Sequence, residues 1–186
     1  DIIPLSEVEI GKNYAVLITT NAGLWRYKIG DTVRFTSINP YRIKVSGRTK
    51  HHINVFGEEL IIENAEDALK NVCKKTKAEI VDFTGAPIFM KGREKGAHEW
   101  LIEFKKPPKD INLFNELFDN ALKSLNSDYE AKRYNNLTLN KPTIHIARTQ
   151  LFYDWLKLHD KLGGQHKIPR LSNTRDYIDE LLKLNK

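Results

Sequence analysis

The stretch from Gly47 to Leu60, GRTKHHINVFGEEL, is where the character of the chain changes. Before it, residues 14–20 (YAVLITT), 24–29 (LWRYKI), 32–37 (TVRFTS) and 42–46 (RIKVS) are rich in β-branched and aromatic side chains. The turn-forming runs NAG, GD and NPY divide them, so they read as a small antiparallel meander or the tail of a barrel. Within the stretch itself, His52–Val55 reads as a short strand and Gly57 as a turn. Beyond it, a helix is expected from about Glu63, because Ala65, Ala68, Leu69 and Val72 recur at helical spacing.

The remaining sequence alternates strands with helices. Residues 78–91 and 97–105 read as two strands joined by MKGREKG, and Pro107-Pro108 stops the second. Asp110 is placed to cap a helix running to about Leu125, with Leu113, Phe114, Leu117, Phe118, Ala121 and Leu122 as its apolar stripe. PTIHIAR at 142–148 reads as a strand, with His145 on its outer face. Residues 149–162 read as a helix ending at a glycine pair, and a last helix is expected to be capped near Ser172. The fold class is therefore α+β: residues 1–47 form the β-rich end of one domain, and 48–186 form a compact unit with a central sheet flanked by helices. The opening, DIIPLSEVEIGKNY, has no Met and runs quickly into a strand, so the chain reads as a piece of a longer protein.

Composition narrows the function classes. Hydrophobic residues make up 40% and charged residues 29%, as in an ordinary globular protein. No run is long and apolar enough to span a membrane, and no signal-peptide pattern opens the chain. The single cysteine, Cys73, excludes an intramolecular disulfide framework and suits the cytoplasm; its helical setting predicts a buried thiol. The net charge of +6 favours an anionic partner. The basic residues are spread rather than blocked, which argues against nucleic acid, while a polyanion- or RNA-binding module stays open as the competing reading. There is no GxxxxGK[ST] loop, GxGxxG, GxSxG or paired CxxC, and six scattered histidines offer no metal-ligand spacing.

Three segments can carry chemistry. GLWRYKIGD (23–31) leads an aromatic strand into Gly30 and Asp31; a carboxylate there can accept hydrogen bonds from a ribose, and an aromatic can stack on a base. The plain alternative is an aspartate at a hairpin tip. In the segment 47–60, Arg48 can bind phosphate, and Lys50, His51 and His52 add positive potential. GGQHKIPR (163–170) sets Lys167 between two glycines and Pro169, as a cation on a loop that can reach a developing negative charge.

Taken together, in this order, the three segments resemble the carboxyl-terminal part of the adenylate-forming superfamily. The closer resemblance is to the auxin-responsive acyl acid amido synthetases and their bacterial homologues, and it covers essentially the whole chain. TTNAGLWRYKIGDTVRFT is similar to that family's TTxAGLYRYRVGDVVxVT, and GGQHKIPR to its NQYKTPR. The resemblance implies a ligase that uses ATP and Mg2+, joining a small carboxylic acid to an amine such as an amino acid through an acyl-adenylate. It assigns Lys167 to catalysis and Tyr27, Asp31 and Arg48 to the nucleotide. It makes Lys50 the hinge between two domain orientations, and Gly57 and Glu58 part of an acceptor channel. Most of the ATP and Mg2+ site would then lie upstream, and this chain would be inactive alone. The middle segment is nearer the general superfamily pattern than the plant one, so thioester formation with coenzyme A is a further alternative.

Overall fold

Strand-forming residues before position 48 pair as the alternation of the chain requires. The computed structural model describes residues 2–48, 52–92, 94–134, 138–163 and 166–186, and it divides the chain into two compact units, 1–50 and 51–186. In the first unit β1 (Asn13–Ile18), β2 (Tyr27–Ile38) and β3 (Tyr41–Arg48) form an open antiparallel sheet in the order β1-β2-β3. It is a meander, with no barrel closure among the described residues. Val33 and Phe35 are its buried apolar centre, with Tyr14 edge-on to Phe35.

One expectation fails here. Gly30-Asp31 is no turn: β2 runs through it without a break. The register against β1 jumps from Thr32↔Ala15 to Lys28↔Leu17, so Ile29, Gly30 and Asp31 share the space opposite Val16. Gly30 has φ +89°, which a side chain would resist, and the strand absorbs its extra residues as a bulge.

The second unit is built on β7 (Ala97–Lys106), a strand covered on both faces. β6 (Glu79–Ile88) pairs with it antiparallel, and β8 (Thr143–Ala147) pairs parallel on its other edge. Parallel pairing demands a crossover, and α2 (Ile111–Leu125) with α3 (Ser127–Arg133) supplies it. Trp100, Ile102 and Phe104 point to one side, into a core shared with α1 (Ile62–Thr76) and α2. Leu101 points to the other, toward α4 (Leu151–Leu158) and α5 (Asp176–Leu184). A short ladder of β4 (His52–Ile53) with β5 (Leu60–Ile61) leads into α1.

Local chemistry sets the element ends. The Asp110 carboxylate accepts from the amides of Asn112 and Leu113, the cap read from the sequence. Ala65, Ala68, Leu69 and Val72 of α1 are all buried, and Cys73 lies half-buried beside them, its thiol pushed up by burial. The α2 stripe is narrower than its sequence suggests: Phe114, Phe118 and Leu122 are fully buried, whereas Leu113 faces solvent. Ser172 does not cap α5. Its hydroxyl accepts from Thr174 N in a local turn, and the helix begins at Asp176. Helix α3 was not foreseen; Asn126, whose side chain accepts from Tyr129 N, restarts the chain after α2. Among the described residues no helix is long and apolar enough to cross a membrane.

Phe118 is fully buried in the larger core, its ring perpendicular to that of Trp100 at a 4.9 Å centroid separation. Phe118→Ala should cost about 3–5 kcal/mol of unfolding free energy, measurable as a lowered urea midpoint.

Candidate functional site

In the first unit, the sheet brings distant parts of the sequence together. Pairing of β2 with β3 sets Asp31 directly opposite Arg48, seventeen positions along the chain. The hairpin-tip reading of Asp31 is thereby excluded, because the residue sits half-buried inside a strand. Tyr27 lies exposed at the start of the same strand, two residues after the exposed Trp25. The arrangement offers a carboxylate at a bulged strand, aromatic faces nearby, and a backbone position for Arg48 across the ladder. Lys50 lies outside the described residues, as does the side chain of Arg48.

In the second unit, Lys167 is exposed, and among the described residues its ammonium makes no hydrogen bond or ion pair. The chain reaches it from the left-handed Gly163, φ +92°. Immediately after it the chain is fixed: Ile168 and Leu171 are buried, and residues 169–172 run along β6. The Thr84 hydroxyl donates to Pro169 O at 2.7 Å, Gly85 N donates to Arg170 O at 2.9 Å, and Ser172 N donates to Gly85 O at 3.1 Å. A cation held on so short a leash can be aimed.

The turn between β4 and β5 is organised from inside. Glu58 is fully buried; its Oε2 accepts from Phe56 N at 2.7 Å and its Oε1 faces His98 Nε2 at 2.8 Å. With Glu58 ionised, His98 donates through Nε2, which leaves its buried Nδ1 without a partner among the described residues. Gly57 is exposed at the tip, with φ +79°. Of the two residues assigned to an acceptor channel, only Gly57 therefore reaches the surface in this arrangement. A second buried network joins Asp119 of α2 to Arg133 in a two-pronged pair at 2.8 and 2.9 Å and to the hydroxyl of Tyr129 at 2.8 Å. Sequence reading missed both networks. A polar residue within an apolar stripe is the one available signal, and it does not name its partner.

A cleft of about 320 Å³ lies beside Ile88, Phe89, Lys91, Glu94, Lys95, Glu99 and Arg175. Its innermost charges already satisfy one another: Arg175 binds Glu99 at 2.5 Å and Asp179 at 2.6 Å, and His145 binds Glu99 at 2.7 Å. Among the described residues no group of three or more His, Cys, Asp or Glu comes together to hold a metal ion.

The buried carboxylates fix the response to acid. Burial pushes the Glu58 carboxyl up, but the hydrogen bond and charge of His98 outweigh it and hold it below its ordinary 4.5. Burial likewise raises Asp119, and Arg133, Lys123 and Tyr129 together bring it below its ordinary 3.8. Carboxyls depressed in the folded state stabilise it above their unfolded values and cease to do so as pH falls through the depressed ones. The melting temperature should hold between about pH 7 and 5 and fall below about pH 4.5. Glu58→Gln should melt lower at neutral pH and lose less on acidification, which thermal melts from pH 7 to 3 would register.

Residues 63–176 match the family model described as the GH3 family C-terminal domain, and residues 1–48 match the GH3 family central domain. A jasmonoyl–L-amino acid synthetase, GH3.5, of Oryza sativa subsp. japonica is 29% identical over 181 residues, covering 93% of this chain and 31% of that protein. The indole-3-acetic acid-amido synthetase GH3.10 of Arabidopsis thaliana is 35% identical over 95 residues, 44% of this chain and 15% of the relative. Among solved structures, a GH3.15 acyl acid amido synthetase superposes with a TM-score of 0.77 at 21% identity, covering 99% of this chain and 36% of its own. The fold is thus shared along nearly the whole chain, which spans about a third of the length of relatives matched this extensively.

Proposed function

The chain belongs to the GH3 family, and on that premise we propose that it is the carboxyl-terminal part of an ATP-dependent acyl acid amido synthetase. The full-length protein would form an acyl-adenylate from a carboxylic acid and ATP, releasing pyrophosphate. It would then transfer the acyl group to the amine of an amino acid, releasing AMP. The observation that carries this reading is Lys167: an exposed cation with no partner among the described residues, fixed from its carboxyl side onto the sheet, within a domain matched to this family.

Each residue then has a physical task. Asp31, held in a strand, accepts from the ribose hydroxyls, and Tyr27 offers its ring beside the base. Arg48, across the ladder from Asp31, contributes a fork of donors to the phosphate side. Lys50 is the pivot about which the second unit turns between the two half-reactions. Lys167 lies between the acid and the α-phosphate, where negative charge grows as the carboxylate attacks. An ammonium about 3 Å from such an oxygen contributes about 5 kcal/mol at an effective dielectric near 20. Closure also keeps water from the acyl-adenylate. Gly57, at the exposed turn, borders the path of the incoming amine, and the inward Glu58 supports that turn from below.

In acid-dependent ATP–pyrophosphate exchange by the full-length protein, tested against a pool of aromatic and aliphatic acids, Lys167→Ala should fall about 100-fold or more. Equal exchange in both proteins would remove Lys167 from the adenylation step. Asp31→Ala should raise the KM for ATP more than it lowers kcat, since a ribose contact is made before and during reaction alike. The 186-residue chain on its own should give no exchange with any acid.

A further inference from the structure

The fixed segment after Lys167 has a second set of anchors that the reaction as described does not use. Arg170 pairs with Glu66 of α1, approaches Asp82 of β6 at 3.6 Å, and lies over the Phe83 ring at 5.1 Å. Its backbone is at the same time locked to Gly85. Three residues on, Asn173 Oδ1 accepts from Asn54 N at 2.7 Å, and its amide reaches His52 Nε2 at 3.4 Å. His52 and Asn54 belong to the strand and turn that open the second unit, close to the unit boundary at residues 50 and 51. The backbone carrying the cation is thus tied to β6, to α1, and to the first residues beyond the proposed pivot.

We infer that residues 169–173 form a clamp fixing the presentation of Lys167, with Thr84, Arg170 and Asn173 as positioning residues for adenylation. This rests on the reading of Lys167 given above. Thr84 is the innermost anchor. It is almost wholly buried, and its hydroxyl has Pro169 O as acceptor, two residues from the lysine. A lysine side chain is long and flexible, so its ammonium can be aimed only if the backbone beneath it is fixed. On the approach side the described residues Leu162, Gly163 and His166 are all exposed. Asn173 adds a second consequence: whatever turns His52 and Asn54 carries the lysine-bearing segment with it.

The test is made on the full-length protein by acid-dependent pyrophosphate exchange, with Lys167→Ala, Thr84→Val and Thr84→Ser measured side by side. Thr84→Val keeps the shape and removes the hydroxyl; Thr84→Ser restores it. Lowered kcat of about 10-fold in Thr84→Val, with the KM for ATP within about twofold of wild type, is expected, because misplacement of a reacting group costs rate rather than ground-state binding. Thr84→Ser should recover most of the loss. Hydrogen exchange of the amides in 168–173 should quicken in Thr84→Val and not in Thr84→Ser. Wild-type kcat in Thr84→Val alongside a collapsed Lys167→Ala overturns the clamp and leaves the reading of Lys167 standing. Equal loss in Thr84→Val and Thr84→Ser overturns it as well, since packing and not the hydrogen bond would be responsible. Wild-type exchange in Lys167→Ala would instead bring down the reading beneath it. Should Thr84→Val fail to fold, Asn173→Ala and Arg170→Gln, at less buried sites, carry the same expectation, and wild-type kcat in both would overturn the proposal.

Discussion

Gly85 is the point on which the arrangement of the second unit turns. On one side its bare Cα accepts the Trp100 ring so closely that an added Cβ would stand 2.9 Å from two ring carbons. Along its edge, its amide and carbonyl are both taken by the segment that follows Lys167. One residue without a side chain therefore joins the largest fully buried side chain of the core to the backbone that carries the candidate catalytic cation. Any larger residue must push either Trp100 or that segment, and packed interiors do not give by that much without cost.

From this junction the rest of the unit follows. Trp100 packs against Phe83 and at right angles to Phe118, which brings α2 onto the sheet. The parallel pairing of β7 with β8 needs the α2–α3 crossover, and the Asp119–Arg133–Tyr129 network fastens the two helices to each other. Burying a charge is expensive unless it is matched, and here each member of the network has a partner. The Glu58–His98 pair serves the same purpose at the β4–β5 turn, holding it from beneath. These contacts fix the turn at the start of the second unit and the segment that follows Lys167.

Much of this was legible in the sequence because it rests on local rules. The helical spacing of Ala65, Ala68, Leu69 and Val72, the cap at Asp110 and the paired strands around MKGREKG are decided by neighbours within a few positions. The α+β class follows from their order, and the family from three short motifs. What could not be read depends on distant partners. Gly30-Asp31 has the composition of a turn, and only pairing with β1 and β3 turns it into a bulge inside one long strand. The inward direction of Glu58 is set by His98, forty positions away, and the anchoring of Pro169 by Thr84, eighty-five positions away. Ser172 has the chemistry of a helix cap, but its hydroxyl is engaged within its own turn.

The central claim is that Lys167 serves the first half-reaction and leaves the second. It is tested most directly by supplying the full-length protein with a chemically prepared acyl-adenylate and an amino acid, and comparing amide formation in wild type and Lys167→Ala. The account predicts rates within a few-fold of each other in a single turnover, because no charge then develops at the α-phosphate through carboxylate attack. A loss in this step as large as the loss in pyrophosphate exchange would contradict it, and would make Lys167 a general determinant of the closed structure instead of the cation of adenylation.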